Sequence, residues 1–274
     1  MQAARASSPV VRWRGHLFPA AMLTITALFT GFILVILLAD VRYVSLGVVK
    51  EVLRSPEILA ALWLSVWTSA TTVVLGLVFA IPIGYALSRY RFLGHAVVDS
   101  IVDLPILLPP LIVGLSLLVF FQTGIGKWIE SNGVKFVYQR KGIVLCQFVV
   151  SASFGIRAIK LTFDGIDRRL EHVAMTLGCG RAQAFFRVAL PMARRGILAG
   201  GLLIWVRALG IFGPLLIFVG AVRRRTEVLP TTIYLEQSIG RIESALAVAV
   251  VMLVLATLAL VLIRMVAKEG HDQG

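Results

Sequence analysis

Runs of about twenty predominantly apolar residues, the length needed to cross a hydrocarbon layer about 30 Å thick at 1.5 Å per residue, recur along this chain between short polar and basic segments. Six such runs stand out: Leu17 to Ala39, Ala61 to Leu87, Ser100 to Phe121, Gly142 to Phe163, Gly196 to Ala221 and Ala245 to Ala267. They are too long and too uniformly apolar for membrane β-strands, which alternate, so the pattern predicts an all-α integral membrane protein of about six transmembrane helices. The first run follows Arg5, Arg12 and Arg14 but is too long for the core of a signal peptide, and it reads as a retained helix.

Breaks within the runs carry information. Pro109-Pro110 removes two backbone donors in the third run, so the helix must bend or break there, facing protein or water rather than lipid. In the fifth run Gly196 and Gly200 form a G-x-x-x-G, with Gly201, Gly210 and Gly213 beyond, a pattern that lets a helix or a second subunit approach closely. Arg207 is read as a charge near the middle of that run. A charge there needs a counterpart or an aqueous cavity, so it either lines a path or braces the bundle. Asp103, at the start of the third run, reads as structural, pairing with a basic residue. Arg157 and Lys160 read as snorkelling side chains and Arg223-Arg224-Arg225 as a solvated cluster.

Composition narrows the class. With 58% hydrophobic and 15% charged residues, where soluble domains carry about 25% charged, the chain needs an apolar solvent. The net charge of +13 fits contact with anionic headgroups. The basic residues lie in separate short loops, not in one continuous patch, which argues against nucleic-acid binding. Their near-even division between the two sides leaves orientation open, apart from the strongly basic segment between the fourth and fifth runs, which leans to the cytoplasm. Cys146 and Cys179 suggest neither a disulfide framework nor a metal site. The four histidines are scattered, which weighs against a membrane-embedded enzyme. No G-x-x-x-x-G-K-[ST] occurs, so the sequence holds no phosphate-binding loop for ATP.

That basic segment, DGIDRRLEHVAMTLGCGRAQAFFRVALPMARR, is the most informative. Leu170 to Leu177 predicts a short helix with Val173, Ala174 and Leu177 on one face. Gly178 and Gly180 permit a sharp turn. Arg181 to Leu190 predicts a second helix bearing Phe185, Phe186 and Val188, ended by Pro191. The expected product is a helix–turn–helix with apolar residues, held either by headgroups or by a protein partner.

The stretch resembles the EAA loop of ABC importer permeases: Glu171, Val173, Ala174, Gly178, Val188, Leu190 and Pro191 fall at the matching spacing, with His172 and Val173 where that family prefers Glu and Ala. Leu104 to Phe121, Arg207 to Gly220 and Arg225 to Gly240 are similar to the molybdate/tungstate/sulfate-type permeases, although Ile211 and Pro214 stand where those commonly have Glu and a small residue. The resemblance implies a type I ABC importer permease. Residues 1–16 would be a cytoplasmic N-terminal segment and 17–267 the transmembrane permease domain. Within it, 164–194 would be a cytoplasmic EAA coupling loop, and 268–274 a cytoplasmic tail. It further implies a plasma- or inner-membrane homodimer with two cytoplasmic ABC ATPase subunits, which would carry ATP and Mg on a partner chain and none on this one. An extracytoplasmic substrate-binding protein would deliver the cargo. The implied coupling residues are Glu171, Val173, Ala174, Gly178, Phe186, Val188, Leu190 and Pro191. Pro109, Pro110, Arg207, Gly210 and Gly213 are candidates for the translocation path or its gate. A permease for phosphate or iron, or an ion-coupled transporter, is the alternative; the latter needs acidic relays within the spans, and this chain has almost none.

Overall fold

The computed structural model describes residues 10–269. Thirteen α-helices make up the described chain, with no strand among the described residues. It divides into two units, residues 1–46 and 47–274. In the first, α1 (Val10–Tyr43) is one apolar helix of 34 residues that carries Pro19 and begins before the expected first span.

The second unit opens with the amphipathic α2 (Leu46–Arg54) and α3 (Pro56–Arg89). Next come α4 (His95–Leu107) and α5 (Pro110–Gln122), then α6 (Gly124–Ser131) and α7 (Arg140–Asp164). The hairpin helices α8 (Arg168–Thr176) and α9 (Arg181–Ala184) lead through a π-turn at Phe185–Ala189 into α10 (Leu190–Leu209). The chain closes with α11 (Gly213–Phe218), α12 (Leu229–Ser238) and α13 (Ile242–Glu269). Four helical stretches are long and apolar enough to cross a membrane: Phe18–Tyr43, Pro56–Arg89, Arg140–Asp164 and Arg181–Leu209. The α4–α5 pair makes a fifth, bent by 111°. The sixth expected span is α13, apolar over Ile242–Leu258.

The bend falls where the two prolines demand it. Pro109 caps α5 and Pro110 opens it, a position where a missing N–H costs nothing. The fifth span departs from expectation at both ends. Helix runs unbroken from Arg181 to Leu209, so Pro191 ends nothing, and the helix stops at Leu209 rather than near Ala221. The π-turn explains the first difference: the Leu190 N–H reaches back to the Phe185 carbonyl, and this widened turn relieves the clash between the Pro191 ring and the preceding turn. The second arises because Pro214 has no N–H and sits in the first turn of α11, so α10 cannot continue through it.

The core of this unit is α3, α7 and α10, and small residues set their spacing. Ser65, Ser69, Thr72, Gly76, Ala80 and Gly84 form one buried stripe along α3, the i±4 ridge that allows close helix approach. The stripe's two serines are satisfied locally, Ser65 donating to the Ala61 carbonyl at 2.8 Å and Ser69 to Val66 at 3.1 Å. Thr72 donates to Gln147 Oε1 (3.1 Å), whose Nε2 donates to the Ala208 carbonyl (3.0 Å), tying all three helices through one buried amide. The glycines of the G-x-x-x-G face α7 of the same chain: a Cβ on Gly200 would lie 2.8 Å from Ile159. The motif serves an internal packing seam and not a contact between subunits.

Candidate functional site

The hairpin is built by local rules. Asp167 caps α8, its carboxylate accepting from the Arg169 N–H at 2.9 Å. After Leu177 the chain turns through Gly178 at φ +94°. The Gly178 N–H donates to the Met175 carbonyl (3.1 Å) and the Cys179 N–H to Ala174 (3.0 Å). This pair of bonds is the Schellman arrangement that stops a helix, and it needs a residue tolerant of the left-handed region. No atom lies within 4 Å of a Cβ placed on Gly178, so glycine is there for backbone conformation and not for lack of room. Gln183 then accepts from the Gly180 N–H at 3.0 Å, starting α9.

Glu171, expected among the residues offered to a partner, instead points inward, only 6% exposed. Its two oxygens accept from Arg89 Nε (2.7 Å) and from the Tyr85 hydroxyl (2.6 Å). The Arg89 guanidinium also donates to the carbonyls of Phe163 (2.8 Å) and Ile166 (3.0 Å). Arg168 returns from the hairpin to the Ser88 and Arg89 carbonyls at the end of α3. A ring contact between Tyr85 and Phe185 (4.6 Å between centroids) completes the attachment. Glu171 therefore fixes the hairpin to the ends of α3 and α7. The sequence singled this residue out but could not show which way it faced, because both faces of the short helix are usable.

The other hairpin residues divide by face. Val173 is 56% exposed, Leu177 81% and Phe186 63%, while Ala174, Val188 and Leu190 are half-buried and Pro191 is exposed. Three bulky apolar side chains thus stand on a well-anchored hairpin with no described residue of this chain covering them. Cys179, in the turn, is free, as is the buried Cys146.

The five path candidates do not form one cluster. The breaks at Pro109-Pro110 and Gly210–Phe212 are neighbours: a Cβ on Gly213 would touch Leu111 at 3.5 Å, and one on Gly114 would meet the Pro214 backbone at 2.6 Å. Two interrupted helical stretches, α4–α5 and α10–α11, therefore abut. Arg207 is not at mid-span. It lies in the last turn of α10, exposed, with its guanidinium 4.2 Å above the Phe154 ring.

Two ion clusters lie outside the hairpin, and the first contains the expected pairing of Asp103 with a basic residue. Arg157 pairs with Asp99 (3.1 Å) and Asp103, and Lys160 with Asp99 (3.7 Å), so both cations brace α4 against α7 instead of snorkelling. The spacing of Asp99 and Asp103, one helical turn apart, was the available signal. On the side away from the hairpin, Arg223, though exposed, is paired: it donates to Glu236 at 2.6 Å and lies 3.7 Å from Glu227. The hydrogen bond from Arg223 to Glu236 raises the guanidinium pKa. Glu227 is fully buried with no hydrogen bond to either oxygen, and burial pushes its carboxyl above the usual carboxylate value.

These features have relatives. Residues 72–269 match the family described as the binding-protein-dependent transport system inner membrane component. The chain belongs to this family. It is a multi-pass membrane protein and a transport permease subunit. It is 35% identical over 229 residues to the molybdenum transport system permease protein ModB of Escherichia coli K12, covering 81% of this chain and 98% of that protein. To the molybdate/tungstate transport system permease protein WtpB of Thermococcus kodakarensis it is 38% identical over 167 residues, 61% of this chain and 63% of that protein. To the sulfate transport system permease protein CysT of E. coli K12 it is 30% identical over 212 residues, 77% and 76% of the two chains. Among solved structures it shares its fold with a bacterial ABC transporter involved in alginate import (TM-score 0.72, 17% identity, 94% of this chain and 95% of that one). The MetNI methionine ABC transporter has the same fold at a TM-score of 0.61, with 18% identity and 78% and 98% coverage.

Proposed function

We propose that this permease forms, with a second copy of itself, the path of an ATP-driven importer for an oxyanion such as molybdate, tungstate or sulfate. The observation that carries the reading is the hairpin: fixed to the core by Glu171, it leaves Val173, Leu177 and Phe186 bare. A helix with such a face fits a groove on a partner. In this reading the partner is a cytoplasmic ABC ATPase, two per dimer, which binds ATP and Mg. The hairpin and both termini then lie on the cytoplasmic side. An extracytoplasmic binding protein delivers the anion to the opposite face. Closure of the ATPases moves the hairpins and, through α10, the abutting breaks at Pro109-Pro110 and Gly210–Phe212, exchanging inward- and outward-facing states.

The cargo class is supported by the names of the relatives, which carry molybdenum, molybdate/tungstate and sulfate. The test pairs Leu177→Glu with Phe186→Glu in the full chain co-expressed with its ATPase. Both side chains are exposed, so the variant folds and inserts, yet the ATPase no longer co-purifies. Retained association refutes the docking face, and labelling of residues 165–191 from the outer side refutes the importer reading altogether. Uptake of radiolabelled molybdate, tungstate and sulfate by vesicles supplied with the cognate binding protein ranks the cargoes; uptake of phosphate or iron alone refutes the oxyanion class.

A further inference from the structure

A groove of about 550 Å³ runs between α3 and α7, walled by Trp63, Trp67, Leu75 and Phe148 and ending at Arg140 and Lys141. A second cavity of about 530 Å³ adjoins it and shares Arg140 and Lys141, adding Lys135, Gln139 and Arg225. The first is mainly apolar away from its Arg140 and Lys141 end, whereas the second gathers four cations with no carboxylate among its lining residues. Among the described residues none of the four cations is in an ion pair.

The cationic cup is held in shape. Arg140 Nε donates to the Arg225 carbonyl (3.0 Å) and Nη2 to the Arg224 carbonyl (3.1 Å), fastening a loop in which Arg224 adopts φ +62°. These acceptors are neutral, so the Arg140 charge stays uncompensated and three of its five N–H donors remain free. The cup also surrounds the start of α7, a 25-residue helix with no acidic residue in its first turn and no side-chain cap, which adds a positive end-dipole. Both cavities lie at the end of α7 opposite the hairpin. Trp63 and Trp67, 70% and 51% exposed, suit the membrane–water boundary, where indole rings collect.

An amphipathic ligand with an anionic head matches this pairing. We propose that groove and cup together hold one anionic phospholipid, its acyl chain along the tryptophan wall and its phosphate among Lys135, Arg140, Lys141 and Arg225, in the leaflet away from the hairpin. A free inorganic oxyanion would use the cup alone and gain nothing from the groove.

The test uses the full chain reconstituted in nanodiscs of phosphatidylcholine with or without phosphatidylglycerol, released into native mass spectrometry. Wild type retains one phosphatidylglycerol per chain and discriminates against phosphatidylcholine. Removing each cation, as in Lys141→Gln and Arg225→Gln, weakens retention about fivefold, and retention falls when short-chain phosphatidylglycerol replaces long-chain. Thermal melts of both variants match wild type, since both side chains are exposed. Equal retention of the two lipids, or retention unaffected by the double variant, overturns the proposal. So does displacement of the lipid by millimolar phosphate or molybdate, which would make the cup an inorganic-anion site. Disulfide trapping between Trp67→Cys and a cysteine in the apolar helix of a second copy, with no lipid retained, overturns it equally.

Discussion

Replacing Glu171 with Ala tests whether the hairpin's attachment is what makes it useful. The carboxylate is 8% and the Arg89 side chain 7% exposed, at 2.7 Å, so the pair is buried. Breaking a buried pair by removing one member costs about 3–5 kcal/mol, because the surviving charge is stranded. Arg89 here keeps the Phe163 and Ile166 carbonyls and Ser88 Oγ as acceptors, which places the loss at the lower end, about 3 kcal/mol. That corresponds to roughly a 150-fold shift toward a detached hairpin. The loss is local: α3, α7 and α10 hold one another through Gln147 and the glycine seam, and neither involves Glu171. Amide hydrogen exchange should therefore rise by about two orders of magnitude over residues 168–184 while the buried amides of α7 stay protected. In the proposed complex, ATP hydrolysis stimulated by loaded binding protein falls even where the ATPase still binds. The double variant Glu171→Leu with Arg89→Met strands no charge and recovers most of the protection. Unchanged exchange over 168–184 in Glu171→Ala would refute the clamp, and loss of protection throughout α7 would refute its local character.

Further outcomes follow from other sites. Gly178→Ala forces a Cβ into a left-handed position at a cost of about 1–2 kcal/mol; it frays the hairpin turn, seen as faster exchange at Cys179 and Gly180, without lowering the melting temperature of the core. Gly200→Leu drives a side chain into Ile159, 2.8 Å from where its Cβ would lie, and lowers the melting temperature of the purified permease, whereas the same change at Gly178 does not. Burial raises the Glu227 carboxyl above its ordinary 4.5. The folded protein therefore holds this proton more tightly than the unfolded chain, and the contribution is complete below about pH 4.5 and lost as pH rises through the folded value. Glu227→Gln should flatten the fall of melting temperature with rising pH; an unchanged slope would show that the group does not titrate in that window.

Much of this architecture could be read from residue order, because lipid imposes length and composition together. The runs at 61–87 and 142–163 correspond to α3 and α7 within a few residues, and the double proline located the α4–α5 bend. The misreadings share a cause. Pro191 looks like a helix terminator in any one-dimensional reading, since the π-turn that accommodates it depends on a single reach from Leu190 to Phe185. Glu171 sits on a helix whose two faces are both usable, and only the location of Arg89, 82 positions earlier, decides which is buried. Arg157 and Lys160 read as snorkelling, and Arg223 as solvated, because their counter-charges lie on other elements, beyond the range of local patterning.

The merging of hairpin and span has a mechanical consequence. Had Pro191 ended a separate helix, a push on the hairpin would have been absorbed in a flexible joint before reaching the membrane. Instead Arg181–Leu209 forms one helical rod of 29 residues, about 44 Å long at 1.5 Å per residue, with Phe186 near one end and Arg207 near the other. Its far end meets Gly210–Phe212, and Pro214 just beyond packs on Gly114 of α5. A displacement at the proposed ATPase surface therefore arrives, little diminished, where two helices are already interrupted and least costly to move. The irregular turn in this rod is the π-turn at Phe185–Ala189. Deleting one residue within Phe185–Ala189 to restore a regular α-turn would bring the Pro191 ring against the preceding turn and kink the rod. In the proposed complex a deletion at 187–189, which spares Phe186 and everything before it, keeps ATPase binding but loses transport. Transport at the wild-type rate would show that force does not travel along α10.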